Sequence, residues 1–216
     1  MNKKNKIDYK SIELKEKSIK KLVDFKKKYA SNDSKIIFEE MCFCLLTPQS
    51  SAKQALKSIE NLKNKSMLHN KSVSLNKIEN QIKSIRFYKT KAKRIKELQE
   101  KYLEENLIEK LKEMEIEKNI INCRKNLVKE INGYGFKEAS HFLRNIGFFE
   151  EITILDRHVL KNLLKEKIID EIPKTLNEKK YLAIENKVKE FCKKEKIKLE
   201  DLDLIFWSNQ TNDIIK

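Results

Sequence analysis

The chain has 216 residues, of which 39% are hydrophobic and 38% charged, and its formal net charge is +15. That length builds one large domain or two compact lobes, each with its own core. The positive excess points to a polyanionic partner, because neutralising phosphates releases condensed counterions, with a membrane surface as the competing explanation. No apolar run is long enough to cross a bilayer, and no hydrophobic region follows the basic start MNKKNKIDYK, so a cytoplasmic protein is expected, neither secreted nor inserted.

The first ten residues are polar and lysine-rich and are expected to fray. From Ser11, the apolar positions Ile12, Ile19, Leu22, Val23 and Phe25 predict a helix with a lysine-coated outer face. Ser31-Asn32-Asp33-Ser34 supplies N-cap residues for a strongly apolar second helix from Ile36 to Leu46, expected to be buried between neighbours. Thr47-Pro48 ends it, and Gln49-Ser50-Ser51-Ala52 opens the next helix, so TPQSSA reads as a helix-loop-helix corner. Asn61 to Ser74 is polar and poorly periodic, with His69 expected at the surface. The run Arg86-Phe87-Tyr88-Lys89-Thr90-Lys91-Ala92-Lys93-Arg94 interleaves aromatics and bases as a nucleic-acid surface does. On the residues alone, Phe87 or Tyr88 packing in a core with solvated lysines is the alternative. Residues 92–121 predict one or two further helices.

The centre of the chain is INGYGFKEASHFLRNIGFFEEITILDRH, residues 131–158, which holds all three glycines, Gly133, Gly135 and Gly147. Apolar residues at helical spacing before it (Ile120, Ile121, Leu127, Val128, Ile131) and after it (Ala139, Phe142, Leu143, Ile146) predict two helices joined by a Gly-hydrophobic-Gly hairpin, the second starting at about Phe136. Amides exposed at such a helix start form an anion site that suits a nucleic-acid phosphate. Lys137 falls in the first turn, where the dipole disfavours an ammonium, and a lysine that can be neutral is a nucleophile. Asp156 closes the apolar run Ile152-Thr153-Ile154-Leu155; it is a natural N-cap for the helix that follows, and the same carboxylate can steady a developing cation.

Pro173 breaks the chain, and Leu176 to Cys192 and Leu199 to Trp207 predict two last helices, with Trp207 in the core by default. Cys42, Cys44, Cys123 and Cys192 are scattered and lack metal-ligand spacing, so they read as buried free thiols, with no metal and no cofactor expected. With no repeat and no strand pattern, the expected fold class is all-α. It comprises a central lobe over 31–147 containing a helix-hairpin-helix at about 120–146 and a second lobe from 1–30 plus 155–216, the two flanking a DNA-binding cleft.

Hairpin, lysine and aspartate together resemble the helix-hairpin-helix DNA glycosylase superfamily, and GYGFKEASHFLRNIG with ILDRH resembles its archaeal-type 8-oxoguanine DNA glycosylase/AP lyase branch. The likeness extends through LLTPQSSA at 45–52, IRFYKTKA at 85–92 and the Trp207 segment. It implies a bifunctional repair enzyme acting as a monomer on double-stranded DNA containing 8-oxoguanine and on abasic-site DNA. Lys137 would attack C1′, and Asp156 would stabilise the cationic transition state. The resemblance further implies DNA contacts by Gly133, Gly135, His158, Gln49 and Arg86, and base recognition by Phe87, Trp207 and Lys216. On the residues alone His158 is an exposed helix histidine and Lys216 a frayed tail, and SNQTNDIIK after Trp207 departs from the family pattern in lacking glycine. Only Cys192 follows Asp156, so the iron–sulfur cluster of the endonuclease III branch cannot be built. Two rivals are a same-superfamily glycosylase for another damaged base and a non-enzymatic helix-hairpin-helix DNA-binding module, which would need no Lys137/Asp156 pair.

Overall fold

The computed structural model describes residues 12–202 together with 205 and 206. Trp207 and Lys216, assigned to base recognition above, lie outside the described residues. The chain folds into ten helices among the described residues: α1 (Ile12–Ala30), α2 (Ser34–Leu46), α3 (Ala52–Asn64), α4 (Leu75–Gln81), α5 (Tyr88–Tyr102), α6 (Leu107–Glu113), α7 (Ile120–Glu130), α8 (Phe136–Asn145), α9 (Arg157–Lys165) and α10 (Glu178–Glu195). A further helical turn spans 199–202, and no strand occurs among the described residues. No described helix is long and apolar enough to cross a membrane.

Two compact units divide the chain, one running from Phe25 to Phe148 and the other combining the residues before Phe25 with those from Phe149 onward. The division falls inside α1, so residues 25–30 go with the central unit. Phe25 anchors them there at 1% exposure, and Lys28 pairs with the buried Glu40 of α2 at 2.7 Å.

In the central unit α2 is the axis. It packs against α3, α5, α6 and α8, and the run Met41–Leu46 is fully buried, as a helix apolar on every face must be. The side chain of Asp33 caps its start through Lys35 N. α3 begins with a capping box, Ser51 to Gln54 and back. It runs on to Asn64, so the polar stretch expected from Asn61 begins as helix. His69 is half-buried, its Nε2 3.1 Å from Glu39 Oε1, where a surface residue was expected.

α1 also departs from its predicted face. Leu22 and Phe25 are buried along a stripe with Ser18, whereas Ile19 and Val23, one step round the helix, are exposed. The sequence offers more apolar positions than the face that packs.

In the other unit the run Ile152–Leu155 is neither helix nor strand, and α10 side chains satisfy its backbone. Glu185 accepts from Thr153 N at 2.8 Å, while the Tyr181 hydroxyl donates to Thr153 O at 2.6 Å and accepts from Leu155 N at 3.2 Å. Buried polar backbone needs such partners. They hold the residues that lead into Asp156. The helical turn at 199–202 is tied back by Ser18 Oγ, which donates to Asp201 at 2.6 Å.

Candidate active site

α7 ends at Glu130, and the chain reverses through Asn132-Gly133-Tyr134-Gly135 before α8 starts at Phe136. Gly133 has φ +96°, a conformation that L side chains rarely adopt, and a Cβ there would stand 2.6–2.7 Å from the Arg94 side chain. Tyr134 between the glycines is the anchor. Its ring is buried and tilts against Phe142, and its hydroxyl donates to Met41 O of α2 at 2.8 Å. Burial holds that phenol well above its ordinary range.

Gly135 is the N-cap of α8, and its amide is already engaged, donating to Glu138 Oε2 at 3.1 Å in the manner of a capping box. Among the described residues the amides of Gly133, Lys137 and Glu138 have no backbone acceptor. Gly147 does not belong to this turn. With φ +100° it closes α8 in a Schellman arrangement, Gly147 N donating to Arg144 O and Phe148 N to Leu143 O, both at 2.9 Å.

Lys137 is half-buried. Its Nζ lies 3.4 Å from Thr47 Oγ1 and 3.4 Å from Glu138 Oε1. Thr47 is buried and gives its own hydroxyl proton to Cys44 O at 2.9 Å, so it offers Lys137 only acceptor lone pairs. The Thr47-Pro48-Gln49-Ser50 corner therefore faces the hairpin. Ser50 Oγ accepts from Arg86 N at 3.1 Å, joining the Arg86-Phe87 turn to the same corner.

Gln49 and Phe87 are both in the left-handed region, φ 55° and 59°, and both are exposed, Phe87 to 55%. They are two of seven non-glycine residues with positive φ among the described residues, and the bond between Ser50 and Arg86 ties their two turns together. Arg86 sits 5.0 Å over the Phe87 ring. Phe87 therefore takes no part in the core, contrary to the packing alternative, and Tyr88 is only partly buried.

Within the central unit the hairpin, Lys137, the corner with Gln49 and the turn with Arg86 and Phe87 thus form one bonded assembly. Asp156 and His158 stand in the other unit, where Asp156 caps α9 by accepting from His158 N and Val159 N, each at 2.8 Å. Its carboxylate is partly exposed and His158 is exposed.

Sequence reasoning missed three members. Glu138 was signalled by the spacing of N-cap and third helical residue. Thr47 and the buried Lys91, whose Nζ donates to Leu46 O and Pro48 O at 2.8 and 2.6 Å, carried no local signal. The four cysteines are buried and outside any disulfide, and burial holds the thiols of Cys42 and Cys123 above the usual range, Cys123 at about 12.

A hairpin between two helices beside a half-buried lysine, in an all-helical fold, defines a helix-hairpin-helix protein. The family model described as Ogg-HhH, 8-oxoguanine DNA glycosylase, matches residues 18–197, and the chain belongs to this family. An 8-oxoguanine DNA glycosylase/AP lyase of Fusobacterium nucleatum is 39% identical over 196 residues, covering 91% of this chain and 89% of the relative. One from Methanocaldococcus jannaschii is 34% identical over 219 residues, covering 94% and 96%. The crystal structure of the M. jannaschii 8-oxoguanine glycosylase/lyase with a 15mer DNA containing 8-oxoguanine superposes with a TM-score of 0.81 at 32% identity, over 94% of this chain and 93% of that one. The 8-oxoguanine DNA glycosylase of Thermotoga maritima superposes equally, TM-score 0.81, at 27% identity over the same shares.

Proposed function

We propose that this protein excises 8-oxoguanine from double-stranded DNA and cuts the strand at the resulting abasic site, with Lys137 as the nucleophile. The observation that carries the residue assignment is the placement of Lys137 Nζ beside Thr47 Oγ1, in the first turn of the helix that opens at the hairpin.

A base cannot be attacked inside the stack, so the nucleotide is extruded. The Gly133 and Lys137 amides take a phosphate near the lesion, supported by the positive end of α8. Neutral Lys137 forms a bond from Nζ to C1′ as the glycosidic C–N bond breaks, and the electron pair leaves with the base, which takes up a proton. Opening of the sugar ring gives the Schiff base. Loss of a C2′ proton then expels the 3′ phosphate, and water hydrolyses the imine to free Lys137. Asp156, as a carboxylate, stabilises the oxocarbenium-like charge at the first step. Phe87, exposed and held in a strained backbone, is a stacking wall for the base, and Gln49 fills the space it leaves; Trp207 and Lys216 complete base recognition, and Arg86 and His158 contact the strand. The protein acts as a cytoplasmic monomer, drawn to DNA by its +15 charge.

Borohydride trapping tests this on a duplex with one 8-oxoguanine opposite cytosine, beside an unmodified duplex, with wild type, Lys137→Gln and Asp156→Asn. An adduct on the lesion duplex that disappears in Lys137→Gln is expected. Binding to both duplexes with neither adduct nor cleavage would sink the enzymatic reading, and an adduct only on duplexes carrying other damaged bases would move the substrate.

A further inference from the structure

Lys91 is the only buried lysine among the described residues, 2% exposed. Among the described residues it forms no ion pair with a carboxylate. Its ammonium spends two of its N–H bonds on Leu46 O and Pro48 O, the carbonyls on either side of Thr47, where α2 ends. A cation there suits the negative end of the helix, and that alone would make Lys91 a cap. Its position relative to Lys137 says more.

A neutral amine has two N–H bonds and one lone pair, and the lone pair points at C1′ only if the two hydrogens are held. Lys137 Nζ donates to Thr47 Oγ1 and is ion-paired with Glu138 Oε1, both at 3.4 Å. Glu138 is fixed by the Gly135 amide. Thr47 is fixed on one side by its bond to Cys44 O, and on the backbone on both sides by Lys91. We propose that Lys91 is a positioning residue for the attack: it clamps the carbonyls of Leu46 and Pro48, the residues before and after Thr47, so that the threonine hydroxyl accepts an N–H of Lys137 and sets the direction of its lone pair. Burial, with the nearby charges of Lys137 and Arg94 added, also brings Lys91 down to about 8, as expected of two lysines gathered round one corner.

This inference rests on Lys137 being the nucleophile. The test measures single-turnover base excision and lesion-duplex affinity for wild type, Lys91→Met, Thr47→Val, the double variant and Lys137→Gln. Lys91→Met and Thr47→Val are each expected to slow excision about tenfold to a hundredfold, the scale of a displaced reacting group. Affinity should stay within about threefold, and the double variant should be no slower than the slower single, because both act through one contact. A Lys91→Met rate within about threefold of wild type, a loss carried in affinity, or losses that multiply in the double variant would overturn the proposal. Should Lys91→Met not fold, Lys91→Arg replaces it: the charge stays, but a planar fork cannot seat one nitrogen between both carbonyls, and the same pattern is expected. Lys137→Gln that still traps substrate would take down the nucleophile and this inference together. Lys137→Gln inactive with Lys91 variants unimpaired would take down this inference only.

Discussion

Gly147→Ala perturbs the point where α8 meets the last turn of α1. At φ +100° an L residue costs about 1–2 kcal/mol. A Cβ would also stand 2.7 Å from Lys26 Cα, 3.1 Å from Lys26 N and 3.2 Å from Phe25 O, all backbone or backbone-bound atoms that cannot swing aside. Overpacking of that kind adds about 1–3 kcal/mol, while alanine's lower entropy in the unfolded chain returns about 0.4–1 kcal/mol. The net loss centres near 3 kcal/mol, or roughly 6–12 °C in Tm for a protein of this size. Gly135→Ala is the control. Its φ is −106°, and its nearest neighbour is the mobile end of Glu138 at 3.2 Å, so about 1 kcal/mol or less is expected. Urea unfolding followed by far-UV circular dichroism gives both numbers. A Gly147→Ala loss below about 1 kcal/mol, or one equalled by Gly135→Ala, would refute the assignment of Gly147 to packing and of the turn to the other two glycines.

Asp156→Asn should leave stability within a few tenths of a kcal/mol, since asparagine caps a helix as well as aspartate, yet abolish or strongly slow base excision; thermal melts beside trapping assays separate the two roles, and an active Asp156→Asn would leave only the cap. Tyr134→Phe removes the donor to Met41 O, which keeps its helical partner within α2, so a loss of about 0.5–1.5 kcal/mol is expected by urea titration. Lys91 binds its proton less tightly folded, at about 8, than unfolded, near 10.5, so the unfolded state holds more protons between these values and stability rises with pH across that window. Relative to Lys91→Met, wild type should gain about 2 kcal/mol between pH 7 and pH 9.5, and parallel stability curves would contradict the buried charge. Duplex affinity should fall linearly in log salt, and Arg86→Ala should reduce the slope by about 1 if its side chain contacts a phosphate.

Local chemistry made much of this protein legible in its residues. The hairpin is signalled by glycines between two helical periods, the start of α8 at Phe136 by the same break, and the Asp156 cap by an acid before a helical run. Each of these needs only neighbours a few positions away. The family resemblance, carried by the same motifs together with TPQSSA and IRFYKTKA, matched the comparison with known relatives.

What the residues did not disclose depends on which distant side chains share a space. Thr47 meets Lys137, and Lys91 bridges the carbonyls of Leu46 and Pro48, only because α2, α5 and α8 pack round a common core. The same packing separates the three glycines into a strained turn against Arg94, an ordinary N-cap and a helix terminus against α1. It also leaves Ile19 and Val23 in solvent although their period matches their buried neighbours. Sequence determines the periodicity, caps and turns, because these are energies between residues close along the chain; the destinations of Lys91, Thr47 and Arg94 are energies of burial and hydrogen bonding between elements far apart in it, and only the tertiary structure decides them.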